Sequence, residues 1–134
     1  MTHRPVPKVT SETARFWHAL RERRIELQRC SQCGYLRYPP RWLCPECLAE
    51  AHQWEVLSGL GEIHSFLWYY RSLDPRFPVV PYNVAIVQLD EGPQLYTNIV
   101  GVGPEDLRVQ QRVAAEFETV DEEHSILLFR LQNS

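Results

Sequence analysis

All four cysteines of this 134-residue chain stand in one short segment and form two matched pairs. Two residues separate Cys30 from Cys33, two separate Cys44 from Cys47, and ten lie between the pairs. This spacing allows two tight turns to aim four sulfurs at one ion, which is the tetrahedral set that zinc prefers. The pattern therefore predicts a zinc site, with iron as the main rival metal for four cysteines.

The predicted zinc is structural, because four protein ligands leave no coordination position for an activated water. His52 follows the second pair closely, but a fifth ligand is not needed. Residues 1–8 contain charge and two prolines without an apolar core, so they do not resemble a signal peptide. We therefore expect a cytoplasmic protein, in which paired cysteines bind metal more often than they form disulfides.

The length suits one globular body with an appendage. No apolar run approaches the roughly 18 residues of a membrane helix. Residues 1–53 hold nine Lys or Arg and five Asp or Glu, whereas residues 54–134 hold five and twelve. Because phosphate neutralisation drives non-specific nucleic-acid binding, the acidic second part argues against that function.

A short amphipathic helix is predicted from about residue 11 to residue 23, after a threonine and a serine that can cap it. Phe16, Trp17 and Leu20 fall on one face of this helix. Such a stripe is more often a docking face than a cofactor site, and with little chain around it we expect a partner subunit to cover it.

Segments rich in β-branched and aromatic residues follow, separated by glycines and prolines, and they predict a small closed or nearly closed antiparallel barrel. On one of them Phe66, Trp68 and Tyr70 share a face, and Leu67 and Tyr69 share the other. One set must be core; the other, with the loop from Arg71 to Pro81, is expected to be interface. The predicted strands are 25–29, 54–58, 61–70, 82–90, 94–100, 112–118 and 126–131.

Several motifs follow one another along the chain: Cys30-Ser31-Gln32-Cys33-Gly34, Pro39-Pro40-Arg41, Cys44-Pro45-Glu46-Cys47, Trp54, Leu57 to Phe66, Pro81-Tyr82 and Leu89-Asp90-Glu91-Gly92-Pro93. Their order and spacing resemble the DUF35 family, whose members combine a zinc ribbon with an OB-fold and are often found with acyl-CoA enzymes. The resemblance covers roughly residues 10 to 118. It departs at Gln110-Gln111, where the family usually carries a glycine, and in the acidic tail after Val120.

The resemblance implies a mainly β fold with an N-terminal helical arm over residues 1–24, a rubredoxin-like zinc ribbon over 25–53 and a five-stranded OB-fold barrel over 54–134. It also implies an accessory subunit that forms a hetero-oligomer with a thiolase-like enzyme: a thiolase, an aldolase of the thiolase fold or an acyltransferase. Some such assemblies are thought to use the accessory chain to bind the CoA thioester.

No nucleophile elbow, phosphate-binding glycine loop or paired-histidine motif is present, so we expect no catalytic residues in the chain by itself. Arginine outnumbers lysine thirteen to one, and its planar fork suits phosphates and carboxylates. Arg37 and Arg41 flank a proline turn and are candidates for CoA phosphates or a partner's acidic surface; a solvated face is the alternative. Trp68, Tyr69 and Phe77 are the candidate aromatic contacts.

Two other functions stay open from the residues alone. A nucleic-acid-binding module would use the same aromatics for stacking, although the basic groove that should accompany them is missing. A self-sufficient enzyme or acyl-CoA carrier would need a pocket that sequence does not reveal.

Overall fold

The computed structural model describes residues 10–71, 80–120 and 124–132. In those ranges the protein is mainly β, with one short helix and nine strands. The elements are α1 (Ala14–Arg21), β1 (Glu26–Cys30), β2 (Leu36–Arg37), β3 (His52–Val56), β4 (Leu60–Tyr69), β5 (Tyr82–Leu89), β6 (Gln94–Thr97), β7 (Ile99–Val100), β8 (Arg112–Thr119) and β9 (Ser125–Leu131).

The helix is shorter than the sequence predicted and begins three residues later. Thr10 and Thr13 hydrogen-bond to each other in a turn, with the Thr10 N–H donating to Thr13 Oγ1 over 3.1 Å. The helix ends at Arg21, and Arg23 follows in the left-handed region with φ 63°. Across the described ranges, no helix is long and apolar enough to cross a membrane.

The zinc-ribbon region forms an antiparallel sheet in the order β2-β1-β3. Gln28 in the central strand pairs with Arg37 on one side and with Trp54 on the other. Strand β3 spans residues 52–56 and so crosses the predicted boundary between ribbon and barrel. The ribbon sheet therefore continues directly into the chain that enters the second sheet.

The second sheet has six strands in the order β6-β5-β4-β8-β9-β7, and all of its pairs are antiparallel except β7 with β9. The sequence predicted one strand over residues 94–100, but Asn98 divides it into β6, which pairs with β5, and β7, which pairs with β9. Since β6 and β7 are one continuous segment, the two edges of the sheet meet there. This topology is that of an OB-fold.

Asn83 joins the two edges where backbone pairing stops. Its side-chain Nδ2 donates to the carbonyl of Ile99 over 2.8 Å, and its Oδ1 accepts from the N–H of Ile99 over 2.7 Å. Both residues are buried. The amide thus replaces a backbone pair between β5 and β7, satisfying two backbone groups that would otherwise be orphaned.

One apolar core runs through the helix, the ribbon sheet and the OB-fold sheet. Leu27 and Leu36 of the ribbon belong to the same packed cluster as Ile63, Val87 and other residues of the larger sheet. The other buried members are Phe16, Leu20, Ile25, Leu57, Ala85, Leu89, Leu95, Ile99, Leu107, Val113 and Phe129. The ribbon and the OB-fold are therefore not packed as independent units.

Two backbone positions explain features of the sequence motif. A Cβ on Gly61 would lie 2.5 Å from the carbonyl oxygen of Gln88, so only glycine fits between these paired strands. Gln110 has φ 71°, a conformation that glycine adopts without strain. The glycine that the family usually carries near this point is thus replaced here by a residue in a strained conformation.

Candidate metal centre and exposed apolar surfaces

The four cysteine sulfurs converge on one point. The Sγ atoms of Cys30 and Cys47 are 3.5 Å apart, as are those of Cys33 and Cys44, and all four lie within 4.8 Å of one another. A tetrahedral ZnS₄ centre with bonds of about 2.3 Å has sulfur–sulfur edges of about 3.8 Å. The donor set therefore fits a structural zinc ion, as the sequence predicted.

Two similar turns aim the sulfurs. Gly34 donates its N–H to the carbonyl of Cys30 over 3.0 Å and has φ 81°. Leu48 does the same toward Cys44 over 2.8 Å and has φ 64°. The glycine after the first pair therefore meets a conformational need, while the second turn places a leucine in the same left-handed region.

Backbone N–H groups around the sulfurs favour the thiolate form. They lower the pKa of Cys30 to about 5, with the N–H of Cys33 contributing most. The pKa of Cys44 is also lowered: burial opposes the charged form, but the N–H groups of Glu46 and Cys47 outweigh it. Thiolates are the form that binds zinc, so the backbone favours the ligand form of Cys30 and Cys44. At Cys33 the N–H of Tyr35 acts in the same direction, but burial and the neighbouring sulfurs outweigh it and raise the pKa to about 12. The N–H of Ala49 is outweighed in the same way, so the pKa of Cys47 is raised as well.

Arg37 is not where the sequence interpretation placed it. The side chain is 0% exposed, and it lies inside the ribbon within hydrogen-bond distance of backbone carbonyls. It therefore cannot meet CoA phosphates or a partner's surface, and it is not a solvated charge either. Arg41 is half-buried, with its Nε donating to the carbonyl of Pro39 over 3.2 Å.

The apolar stripe of α1 packs on the protein's own core, not on a partner. Phe16 is 4% exposed and Leu20 is 0% exposed, while Trp17 is partly buried against the same cluster. The Phe16 and Trp17 rings meet edge to face at 5.0 Å. The expectation of a partner subunit on this face was wrong because the ribbon and OB-fold sheets supply enough apolar surface to cover it.

The aromatic strand β4 divides as its alternation requires. Trp68 is partly buried and packs against the core with Phe66. Tyr69 lies on the other face and stacks on Tyr82 with a centroid distance of 5.1 Å. The third candidate on this side, Phe77, lies outside the described residues.

An exposed apolar patch surrounds the zinc-binding turns, and the sequence interpretation missed it. Trp42 is 55% exposed, Leu43 46%, Leu48 71% and Tyr35 37%. We call these four residues the ribbon tip. The signal was present in the sequence, because large apolar residues directly flank the second cysteine pair where turns usually carry polar ones.

Two side-chain oxygens fix the backbone of the loop that carries Trp42 by accepting hydrogen bonds from it. Gln28, which is 1% exposed, accepts the N–H of Arg41 with its Oε1 over 2.8 Å. Glu12, just before the helix, accepts the N–H of Trp42 over 2.7 Å. The indole is therefore presented on a fixed backbone, which lowers the entropy lost when a partner covers it.

A second apolar surface covers the outside of β4, β5 and β6. A β-bulge at His64 shifts the register of β4, after which alternate residues point outward. Leu67 is 53% exposed and pairs with Val84, and Tyr96 is 75% exposed and pairs with Ile86. We call Leu67, Tyr69, Tyr82, Val84, Ile86 and Tyr96 the outer sheet face.

Comparison with known proteins matches both halves of the chain. Residues 17–53 match the family described as ChsH2, rubredoxin-like zinc ribbon domain. Residues 54–118 match the family described as ChsH2, C-terminal OB-fold domain. A solved structure, the Ltp2-ChsH2(DUF35) aldolase, contains a chain that is 31% identical, with a TM-score of 0.83 and coverage of 93% of this chain and 98% of that one.

Two curated relatives extend the match. A probable enoyl-CoA hydratase alpha subunit of Thermomonospora curvata is 33% identical over 95% of this chain, but the match spans only 40% of that relative's length. A DUF35 domain-containing scaffold protein of Methanothermobacter thermautotrophicus is 35% identical over 84% of this chain and 86% of its own length. With that identity over most of both chains, this protein belongs to the DUF35 family.

Proposed function

We propose that this protein is a non-catalytic accessory subunit that docks on a thiolase-fold enzyme acting on acyl-CoA or ketide substrates, in a hetero-oligomer in the cytoplasm. The observation that carries the proposal is the presence of two exposed apolar surfaces, the ribbon tip and the outer sheet face, on rigid elements. The similar chain in the Ltp2-ChsH2(DUF35) aldolase and the relatives named for hydratases and scaffolds support it.

The ribbon tip has the features of an interface anchor. Large aromatic side chains on a preorganised backbone contribute most to binding, because little conformational entropy is lost when they are covered. Trp42 fits that description, since its loop is tied to Gln28 and Glu12. Leu48 adds a second exposed apolar side chain, and its N–H is tied to the Cys44 carbonyl within the zinc turn over 2.8 Å.

The outer sheet face offers a flatter apolar surface on three hydrogen-bonded strands. Its tyrosines combine apolar rings with a polar hydroxyl, a composition that is enriched at interfaces. The face becomes polar toward Gln88 and Gln94, which pair at its end. A partner that covers the tyrosines and leaves the glutamines exposed to solvent would form an interface with the usual apolar centre and polar rim.

A contribution to CoA-thioester binding rests on Arg41. It is half-buried beside the ribbon tip, and a guanidinium is well suited to phosphate. The four thiolate sulfurs are committed to the metal, so we propose that the reacting groups belong to the partner. A cleft of about 340 Å³ beside β7 contains both carboxylates and guanidiniums, a lining poorly suited to an acyl chain.

Co-expression tests the proposal directly. A thiolase-like enzyme from the same organism is tagged and purified with and without this protein, and its turnover of an acyl-CoA substrate is measured. We expect a complex of defined stoichiometry and a turnover that depends on it. An enzyme equally active without this chain, with no complex at micromolar concentration, would refute the proposal.

Surface variants locate the contact. Trp42→Ala in the ribbon tip and Tyr96→Ser on the outer sheet face remove exposed apolar groups, with Glu46→Ala and Gln94→Ser as matched controls on the same elements. We expect at least one apolar variant to weaken the complex by about tenfold or more, at an unchanged melting temperature. Equal affinity in all four variants would exclude both surfaces.

A nucleic-acid-binding function is the second candidate, favoured by the exposed tyrosines on an OB-fold sheet. Titration with fluorescent single-stranded DNA at low salt decides it. We expect no saturation at micromolar protein, because residues 54–134 hold five basic and twelve acidic side chains. Tight binding that weakens steeply with salt would favour this function over the accessory role.

A further inference from the structure

Arg37 is a buried cation surrounded by backbone carbonyls, and the Nδ1 of His52 also lies 3.3 Å from one of its terminal nitrogens. Arg37 is 0% exposed, and its terminal nitrogens lie 2.9 to 3.4 Å from five carbonyl oxygens. Among the described residues no carboxylate forms an ion pair with it. The five carbonyls are those of Arg41, Trp42, Ala49, Glu50 and Ala51.

These carbonyls stand on both sides of the second zinc-binding turn. Two of them precede Cys44 and three follow Cys47, so one guanidinium ties together the entry and the exit of the loop. The carbonyl of Ala49 also accepts the N–H of Cys44 over 2.9 Å. Arg37 therefore sets the position of the loop that supplies two of the four metal ligands.

The same side chain lies on the cysteine side of the ribbon sheet. Arg37 pairs with Gln28 in β1, and Cys30 follows two residues later on the same face of that strand. The Nε of Arg37 is buried and has no hydrogen-bond partner in the described part of the chain.

The position of Arg37 beside the metal site is explained by charge balance. A buried guanidinium without an anionic partner costs several kcal/mol in lost hydration, an expense that carbonyl dipoles offset only in part. Four thiolates around a divalent zinc carry a net charge of about −2. The metal centre is therefore the anion that a cation in this position can neutralise.

We propose that Arg37 is a positioning residue of the zinc site, which clamps the loop bearing Cys44 and Cys47 and neutralises part of the tetrathiolate charge. Its role is electrostatic as well as structural: removing the charge weakens zinc retention and makes release occur at higher pH, because protons compete better for less stabilised thiolates. This inference does not depend on the proposed docking function.

The test uses full-length zinc-loaded protein and a chromogenic chelator as competitor. Arg37→Met removes both the positive charge and the guanidinium N–H donors, whereas Arg37→Lys keeps the charge but loses the planar set of donors. Arg108→Met is the matched control on an exposed loop of the OB-fold. Zinc affinity is measured at pH 7, and zinc release is followed as the pH is lowered. The Co²⁺-substituted proteins report ligand geometry by their charge-transfer and d–d absorption.

We expect Arg37→Met to lose about tenfold or more in zinc affinity, the size typical of outer-shell changes, and to release zinc at a higher pH than the parent. Arg37→Lys should lose less, and Arg108→Met should match the parent. If Arg37→Met does not fold, the lysine variant decides: a loss of about threefold supports the proposal. Zinc affinity and release pH equal to the parent in the variants that fold would overturn it, whatever their melting temperatures.

Discussion

Replacing Asn83 by alanine tests how the OB-fold sheet closes. The side-chain amide supplies both hydrogen bonds to the backbone of Ile99, and no ladder between β5 and β7 can take their place. Ile99 is 3% exposed, so water cannot easily reach the groups that the substitution would orphan. The perturbation therefore removes two bonds and leaves two buried backbone groups unsatisfied.

The expected loss of unfolding free energy follows from the two lost hydrogen bonds and the two unsatisfied backbone groups. Each lost hydrogen bond is worth about 1 kcal/mol, and each orphaned buried group adds about 1 kcal/mol more, which gives roughly 3–5 kcal/mol in total. For a chain of this length about 3–4 °C of melting temperature corresponds to each kcal/mol, so we expect a fall of roughly 10–20 °C.

Urea unfolding of zinc-loaded protein, followed by circular dichroism, measures the free energy of unfolding. Gln88→Ala is the matched control, because Gln88 lies on the same strand but points outward, and its side chain accepts a long hydrogen bond of 3.5 Å from Gln94. We expect the control to change stability by less than about 0.5 kcal/mol. A cost below about 1 kcal/mol for Asn83→Ala, similar to the control, would refute the view that this amide closes the sheet.

Three further predictions follow from the site and its surroundings. Chelation of zinc, or Cys44→Ser, should unfold at least the ribbon, because structural zinc contributes about 10–16 kcal/mol in zinc-finger peptides; circular dichroism and melting temperature unchanged at zero zinc content would contradict this. Glu26→Gln should cost about 1–3 kcal/mol at pH 7, because two guanidiniums bind this carboxylate. Burial raises the pKa of Glu26, but its arginine partners outweigh burial and the pKa in the folded protein is lowered. The stability contributed by the Glu26 carboxylate is therefore present above the usual carboxyl pKa of about 4.3 and is lost as the pH falls through the lower folded value. Urea unfolding curves across this pH range should show the stabilities of the two proteins converging in acid. Gln110→Gly should stabilise by up to about 1 kcal/mol, because φ 71° suits glycine; Gln111→Gly, which loses two side-chain hydrogen bonds in the same loop, should destabilise, and calorimetry separates the two.

The features that the sequence predicted well are those fixed by local spacing. The metal site follows from two cysteine pairs whose turns each need only five residues, and the structure places all four sulfurs together. Strands such as β5 were predicted within a residue of their ends because their alternation is regular. The break at Asn98 was not predicted, because no local sequence signal marks the point where an extended segment stops pairing with β5 and starts pairing with β9.

The predictions that were wrong concern contacts between residues that are distant in the sequence. Periodicity identified the apolar face of α1 but not its cover, because the residues that bury Phe16 come from distant strands. Arg37 was interpreted as a surface charge, since burial of an arginine requires acceptors that only the folded loop gathers. Trp42 was overlooked for the opposite reason: the apolar residues before Cys44 are visible in the sequence, but their exposure appears only when the turn is built.

The common core gives the zinc a role beyond the ribbon. Leu27 and Leu36 pack in one cluster with the OB-fold residues, so the ribbon tip and the outer sheet face keep a fixed relation only while the ribbon is folded. If a partner covers the ribbon tip, its binding energy is added to the folded, metal-bound state and not to the unfolded one. Thermodynamic linkage then requires the converse: whatever loosens the zinc, including loss of the Arg37 charge, must also weaken the complex. The metal and the docking surfaces are therefore coupled, even though the zinc touches neither substrate nor partner in the role proposed here.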